Sequence, residues 1–162
     1  MQFSELGADD RALFSAMKFG KYRRWERRVD HMIREDLAGA ISEALGNLTC
    51  LGIMDGEALA AVAAWMPDIE QPDIVWDGYV IGVDRRYREN GYGRALMHEM
   101  LLRAANAGVL VVTSLVHNGN KDVLAWHLRL GADIAQDTDD GDLMVCTIPV
   151  QEWKKSRDAE TS

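Results

Sequence analysis

The stretch that decides the reading is Val80-Ile81-Gly82-Val83-Asp84-Arg85-Arg86-Tyr87-Arg88-Glu89-Asn90-Gly91-Tyr92-Gly93-Arg94-Ala95-Leu96-Met97. Ile74–Val83 is rich in β-branched and aromatic residues and reads as a strand. Tyr92–Ala107 reads as a helix that Gly108 stops. The first N–H groups of a helix have no internal partner, and the macrodipole adds partial positive charge there. Glycines at 91 and 93 keep side chains away from those N–H groups, and Arg85, Arg86, Arg88 and Arg94 add charge around the same turn. The junction is suited to holding a phosphate. A lone Gly-x-Gly would do no more than permit a tight turn. A dinucleotide loop would want G-x-G-x-x-G early in a βαβ unit, whereas this turn follows a hairpin.

That hairpin is the next element outward. Leu48–Met54 and Ala58–Met66 are strand-like runs flanking Asp55-Gly56, a tight-turn signal. Further upstream, residues 1–8 read as a short strand or an irregular start, and a helix begins at Asp9 with Leu13 and Met17 on one face. Val29, Ile33, Leu37, Ile41 and Leu45 recur at i, i+4 and predict a second amphipathic helix, ended by Gly46-Asn47. Downstream, Val109–Val116 reads as a dense strand buried on both faces. Lys121–Leu130 reads as a helix with Asn120 as N-cap and Gly131 just past its end. Ala132–Val150 then gives two strands joined across Asp137–Asp142. The order implies an α/β (α+β) class, a mixed sheet with helices on both faces. One domain is expected over 1–152, with 153–162 as a flexible polar tail.

The bulk numbers restrict function only coarsely. The chain has 162 residues and a net charge of −8, which disfavours general nucleic-acid binding. The charge is uneven: six Lys/Arg against two acids lie from Lys18 to Asp30, and five Asp without a base lie from Asp133 to Asp142. Cys50 and Cys146 lack metal-ligand spacing and read as buried free thiols, and the four histidines suggest no metal. No stretch approaches the roughly 18 apolar residues of a membrane span, and Met1–Asp10 has no signal-peptide core. A soluble, cytoplasmic protein with no membrane partner is expected.

Arg88-x-x-Gly91-x-Gly93 after Val83 is similar to the acyl-CoA pyrophosphate loop, R/Q-x-x-G-x-G/A, of the GNAT family of N-acetyltransferases. Asn120 followed by Trp126-His127-Leu128-Arg129-Leu130-Gly131-Ala132 resembles the family's second signature, N-x-x-A-x-x-x-Y-x-x-x-G-F. The resemblance covers roughly residues 48–135. It implies the GNAT acyl-CoA N-acyltransferase fold, with a mostly antiparallel central sheet, and acetyl-CoA as co-substrate without a metal. The acceptor would be a primary amine of a small molecule or protein, and similar proteins are commonly homodimers. The cofactor would be held by Arg88, Glu89, Asn90, Gly91, Tyr92, Gly93, Arg94 and Asn120, and along its pantetheine by the main chain of Ile81 and Val83.

The catalytic residues depart from the family pattern. Val123 and Ala132 replace the signature's Ala and Phe, and His127 stands where the family has the tyrosine assigned as acid to the departing thiolate. Histidine can donate a proton near neutral pH, yet beside Trp126 and Leu128 it equally reads as a satisfied, partly buried residue. Asp77 lies eleven residues before Arg88, the offset at which the histone-acetyltransferase branch places its basic glutamate, and is the candidate base. Glu70 and Asp73 are weaker alternatives. Trp65, Trp76 and Tyr79 read as core more readily than as pocket walls. Two other functions stay open: an acyl-CoA-binding sensor, kept alive by the missing tyrosine, and a toxin-like enzyme acting on aminoacyl-tRNA, suggested only by the Lys18–Arg28 cluster.

Overall fold

A computed structural model describes residues 2–18 and 49–161, which divide into two compact units. The second amphipathic helix expected over Val29–Leu45, and the basic cluster beyond Lys18, lie outside the described residues. Among the described residues no helix is long and apolar enough to cross a membrane.

The first unit comprises the described residues up to Met66 together with Val80–Met100. Strand β1 (Ser4–Glu5) pairs antiparallel with β2 (Thr49–Asp55), and β2 pairs antiparallel with β3 (Ala58–Pro67). The hairpin closes through Asp55 opposite Ala58, and Gly56 takes φ +60 at the first turn position. Only glycine adopts that conformation cheaply, which is why the Asp-Gly signal was decisive. Helix α1 (Arg11–Ala16) follows a single 3-10 turn at Ala8–Asp10. Met17, Cys50, Leu59, Val62 and Ala64 form a core cluster, with Leu6, Leu13 and Met54 packed against it. Strand β4 (Val75–Val83) lies next to β3 and enters this unit at Val80. Helix α2 (Tyr92–Asn106) follows it, with Leu96, Met97, Met100, Leu101, Ala104 and Ala105 buried along one stripe.

The second unit comprises Pro67–Tyr79 and the chain from Leu101 onward. The first residues of β4 run parallel to β5 (Val111–His117), with Val75 opposite Val111 and Trp76 opposite Val112. Strand β5 pairs antiparallel with β7 (Leu143–Pro149), which pairs with β6 (Asp133–Gln136). Among the described residues the strand order is β1-β2-β3-β4-β5-β7-β6, a mixed set of seven as the sequence order implied and mostly antiparallel as the family resemblance implied.

Two expectations are corrected here. Strand β5 is not buried on both faces: Val112, Ser114 and Val116 are buried, whereas Leu115 is 45% exposed. Its pairing with β7 is long and with β4 brief, and the alternation is that of a strand with one core face. Residues 153–161, read as a flexible tail, belong to helix α4 (Val150–Thr161). That segment is rich in helix formers without Gly or Pro, and the Arg157 guanidinium lies 5.7 Å from the Trp153 ring centre, one turn back. Val150 anchors it, fully buried and donating its N–H to the Leu110 carbonyl at 2.9 Å. Both cysteines are free and buried, and burial pushes the Cys50 thiol up to about 12 and that of Cys146 to about 11.

Candidate active site

In the first unit the turn after β4 starts from an anchored carboxylate. Asp84 is fully buried and caps the 3-10 turn Arg85–Tyr87. Its Oδ1 accepts from the Arg86 N–H at 2.9 Å and Nε at 3.0 Å, and its Oδ2 from Arg86 Nη2 at 3.1 Å and the Lys18 N–H at 3.1 Å. Burial by itself would raise the carboxyl pKa, but the bonds from Arg86 and Lys18 hold it below the ordinary value. Main-chain bonds add to the anchor: Asp84 N–H donates to Ala60 O at 2.9 Å, and Arg85 N–H to Lys18 O at 2.8 Å.

From there the chain turns sharply. Glu89 takes φ +70 and Gly91 φ +77, so two left-handed residues bracket Asn90. The Asn90 side chain donates to the Tyr87 carbonyl at 2.8 Å and ties the loop to itself. Helix α2 opens as the Ala95 N–H donates to the Gly91 carbonyl at 3.0 Å. A Cβ built on Gly91 would meet nothing within 4 Å, so the space in front of this turn is open. One on Gly93 would lie 3.4 Å from Val83 Cγ2 and 4.0 Å from Ile81 Cγ2. The start of α2 thus lies against the end of β4 at ordinary van der Waals distance. Arg88, Glu89, Asn90, Gly91 and Arg94 are exposed, Tyr92 half-buried. The arrangement is a helix N-terminus with unobstructed N–H groups and arginines nearby, an anion-binding geometry.

In the second unit, the β4–β5 ladder gives way after Trp76 to side-chain bridges. Gly78 has φ +69, and its N–H donates to Thr113 Oγ1 at 3.4 Å. The Thr113 hydroxyl in turn donates to Asp77 Oδ1, and Asp77 is exposed. One residue further, Ser114 Oγ donates to the Tyr79 carbonyl at 2.8 Å.

His127 lies on α3 (Lys121–Arg129) and is 2% exposed. Its Nδ1 is 2.8 Å from the Val123 carbonyl, one helical turn back. A carbonyl only accepts, so Nδ1 carries the proton, and Nε2 of the neutral ring accepts from the Tyr79 hydroxyl. Burial lowers the His127 pKa, which the Val123 bond only partly offsets, and burial likewise pushes the Tyr79 phenol well up. The pair is neutral and mutually satisfied, with Trp126 edge-on to the imidazole at 5.8 Å. Trp65 and Tyr79 are both 3% exposed and belong to the interior. Asn120 occupies the N-cap position of α3, as the sequence implied, but its side chain makes no capping bond. The helix opens on the Asn120 carbonyl, which accepts from the Leu124 N–H at 3.1 Å. The other end is as the sequence implied: Gly131 has φ +84, with Gly131 N–H bonded to Leu128 O and Ala132 N–H to His127 O, a Schellman ending.

Residues 12–132 match the family model described as the acetyltransferase (GNAT) family. The chain belongs to that family. Solved GNAT-like structures agree in fold. The ribosomal-protein-S18-alanine N-acetyltransferase from Escherichia coli superposes with a TM-score of 0.68 at 19% identity, covering 92% of this chain and 93% of the other. The PaiA N-acetyltransferase from Thermoplasma acidophilum, solved with coenzyme A, gives a TM-score of 0.68 at 13% identity, with 92% and 99% covered. The protein smu.2055 from Streptococcus mutans UA159 gives 0.69 at 16% identity, with 93% and 99% covered. At such identities these likenesses concern the fold. No curated protein sequence matches the chain. GNAT membership supports an N-acyltransferase in general.

Sequence reasoning missed the part that three residues play in this GNAT chain: Asp84, Thr113 and Tyr79, the last read only as core. Asp84 does carry a local signal, an acid two residues before an arginine at a strand end, which is a capping pattern. Thr113 and Tyr79 left no local signal, because their partners lie 36 and 48 residues away. Among the described residues no group of three His, Cys, Asp or Glu could hold a metal ion.

Proposed function

We propose that this protein is a cytoplasmic N-acetyltransferase that moves the acetyl group of acetyl-CoA to a primary amine of a small molecule or protein. The observation that carries the reading is the Arg88–Gly93 turn: a helix N-terminus opened by two left-handed residues, with Gly91 facing open space, in a GNAT chain. Its N–H groups would hold the CoA pyrophosphate, with Arg88 and Arg94 supplying charge. The main chain of Ile81 and Val83 would bind the pantetheine and offer an N–H to the developing oxyanion. A GNAT-fold neighbour solved with coenzyme A supports this donor.

In the reaction the neutral amine nitrogen attacks the thioester carbon, the C–S bond breaks, CoA leaves as thiolate, and the second proton, shed by the nitrogen as it becomes an amide, goes to that thiolate. Asp77 takes the proton released as the ammonium becomes the attacking amine. His127 would protonate the thiolate only by giving up Tyr79 at Nε2 or Val123 at Nδ1. We therefore read it as a fixed neutral residue in the place of the family's tyrosine. The test is acetyl-CoA turnover, read as thiol release, with a polyamine, an aminoglycoside and a lysine peptide. Turnover that falls about tenfold or more in Asp77→Asn supports the base. Tight CoA binding with no turnover on any of the amines sinks the transferase reading. It would favour a second one, an acyl-CoA sensor, which the inward engagement of both His127 nitrogens supports.

A further inference from the structure

We propose that Thr113 is a positioning residue that holds the Asp77 carboxylate in its proton-accepting orientation. The inference rests on the reading of Asp77 as base. An exposed carboxylate on a strand rotates among several orientations, and only some of them meet an incoming ammonium. Here the register removes that freedom. The parallel ladder stops at Trp76 opposite Val112, and the next pair, Asp77 and Thr113, meets through side chains.

The direction of the bridge follows from its donors. The Gly78 N–H can only donate, so it occupies a lone pair of Thr113 Oγ1. The single hydroxyl proton then points to Asp77 Oδ1. That bond fixes one carboxylate oxygen and leaves Oδ2 with its lone pairs for substrate. Threonine suits the task because its β-branched side chain is stiff at χ1 on a strand. Thr113 is half-buried on β5. Gly78 contributes the conformation: its φ of +69 turns the N–H toward Thr113, at a point where a side chain would be strained.

Four variants test this with acetyl-CoA and the same three amines: Thr113→Val, Thr113→Ser, Asp77→Asn and the double variant Asp77→Asn/Thr113→Val. Valine keeps the shape and the strand preference while deleting the hydroxyl. The expected result is a fall in kcat of about tenfold in Thr113→Val with the KM for acetyl-CoA unchanged, and rescue to within about twofold in Thr113→Ser. In the Asp77→Asn background, Thr113→Val should cost nothing further, because the group it positions is already gone. Thermal unfolding of Thr113→Val close to the parent's separates this from a folding defect. Full activity in Thr113→Val, or an equal loss in the Asp77→Asn background, overturns the positioning role while leaving Asp77 as base. Full activity in Asp77→Asn overturns the base assignment and the positioning role with it. The same follows if none of the three amines is acetylated.

Discussion

The Arg88–Gly93 turn and the Tyr79–His127 pair are built on opposite principles. The turn gets its shape from consecutive residues: left-handed φ at Glu89 and Gly91, and Asn90 folded back onto the Tyr87 carbonyl. Its business end is main chain, exposed and unobstructed. The pair is the reverse, two buried side chains from distant points whose polar atoms are used up on each other and on the Val123 carbonyl. A site for an anion needs open donors, while a neutral buried pair must leave none open. The two regions therefore respond differently to substitution.

The largest effect is expected at the anchor beneath the turn. Asp84→Ala would strand the Arg86 and Lys18 N–H groups and should destabilise the protein by about 3 kcal/mol in urea unfolding. Because the folded carboxyl titrates below its ordinary value, its contribution is complete above that value and is lost as pH falls through the lowered one. The variant should therefore lose less stability on acidification than the parent does, and an unchanged acid profile would remove Asp84 as the anchor.

Next, Gly91→Val forces a β-branched residue to φ +77 and fills the space a phosphate would occupy. CoA affinity by calorimetry should fall about 50-fold, roughly 2.3 kcal/mol. Unchanged affinity would mean that the turn is not the cradle.

His127→Phe should cost about 2 kcal/mol of stability by removing the Nε2 partner of the buried Tyr79 hydroxyl, while kcat stays within about threefold. Burial that lowers the His127 pKa disfavours protonation in the folded state, so stability is full above about 6.5, the ordinary histidine value, and falls as pH drops from there through the lowered one. Stability in the variant should accordingly be flatter across that window. A tenfold fall in kcat at unchanged stability would instead restore His127 as the acid.

The smallest change tests the turn's own compromise. Glu89 is a non-glycine residue at φ +70 and places a carboxylate beside the proposed phosphate site. Glu89→Gly should tighten CoA binding about threefold at low salt while altering stability by less than about 1 kcal/mol, since relief of strain and added unfolded-state entropy oppose each other. Weaker binding would show that Glu89 contacts the cofactor favourably.

The sequence by itself determined the elements whose causes are local. Asp55-Gly56 made the hairpin, Gly91 and Gly93 opened the helix, and Gly131 ended the next one, because positive φ and missing side chains are properties of single positions. Tertiary structure decided what each side chain meets. Asp77 acquired Thr113 from a strand register, and His127 turned inward to Tyr79, neither of which any spacing in the chain encodes. It also decided that β5 has one buried face and that the polar end of the chain, anchored at Val150, is a helix. The physical reason is one of range. Backbone conformation is set within a few residues, whereas burial and hydrogen-bond partners depend on segments brought together only when the chain folds.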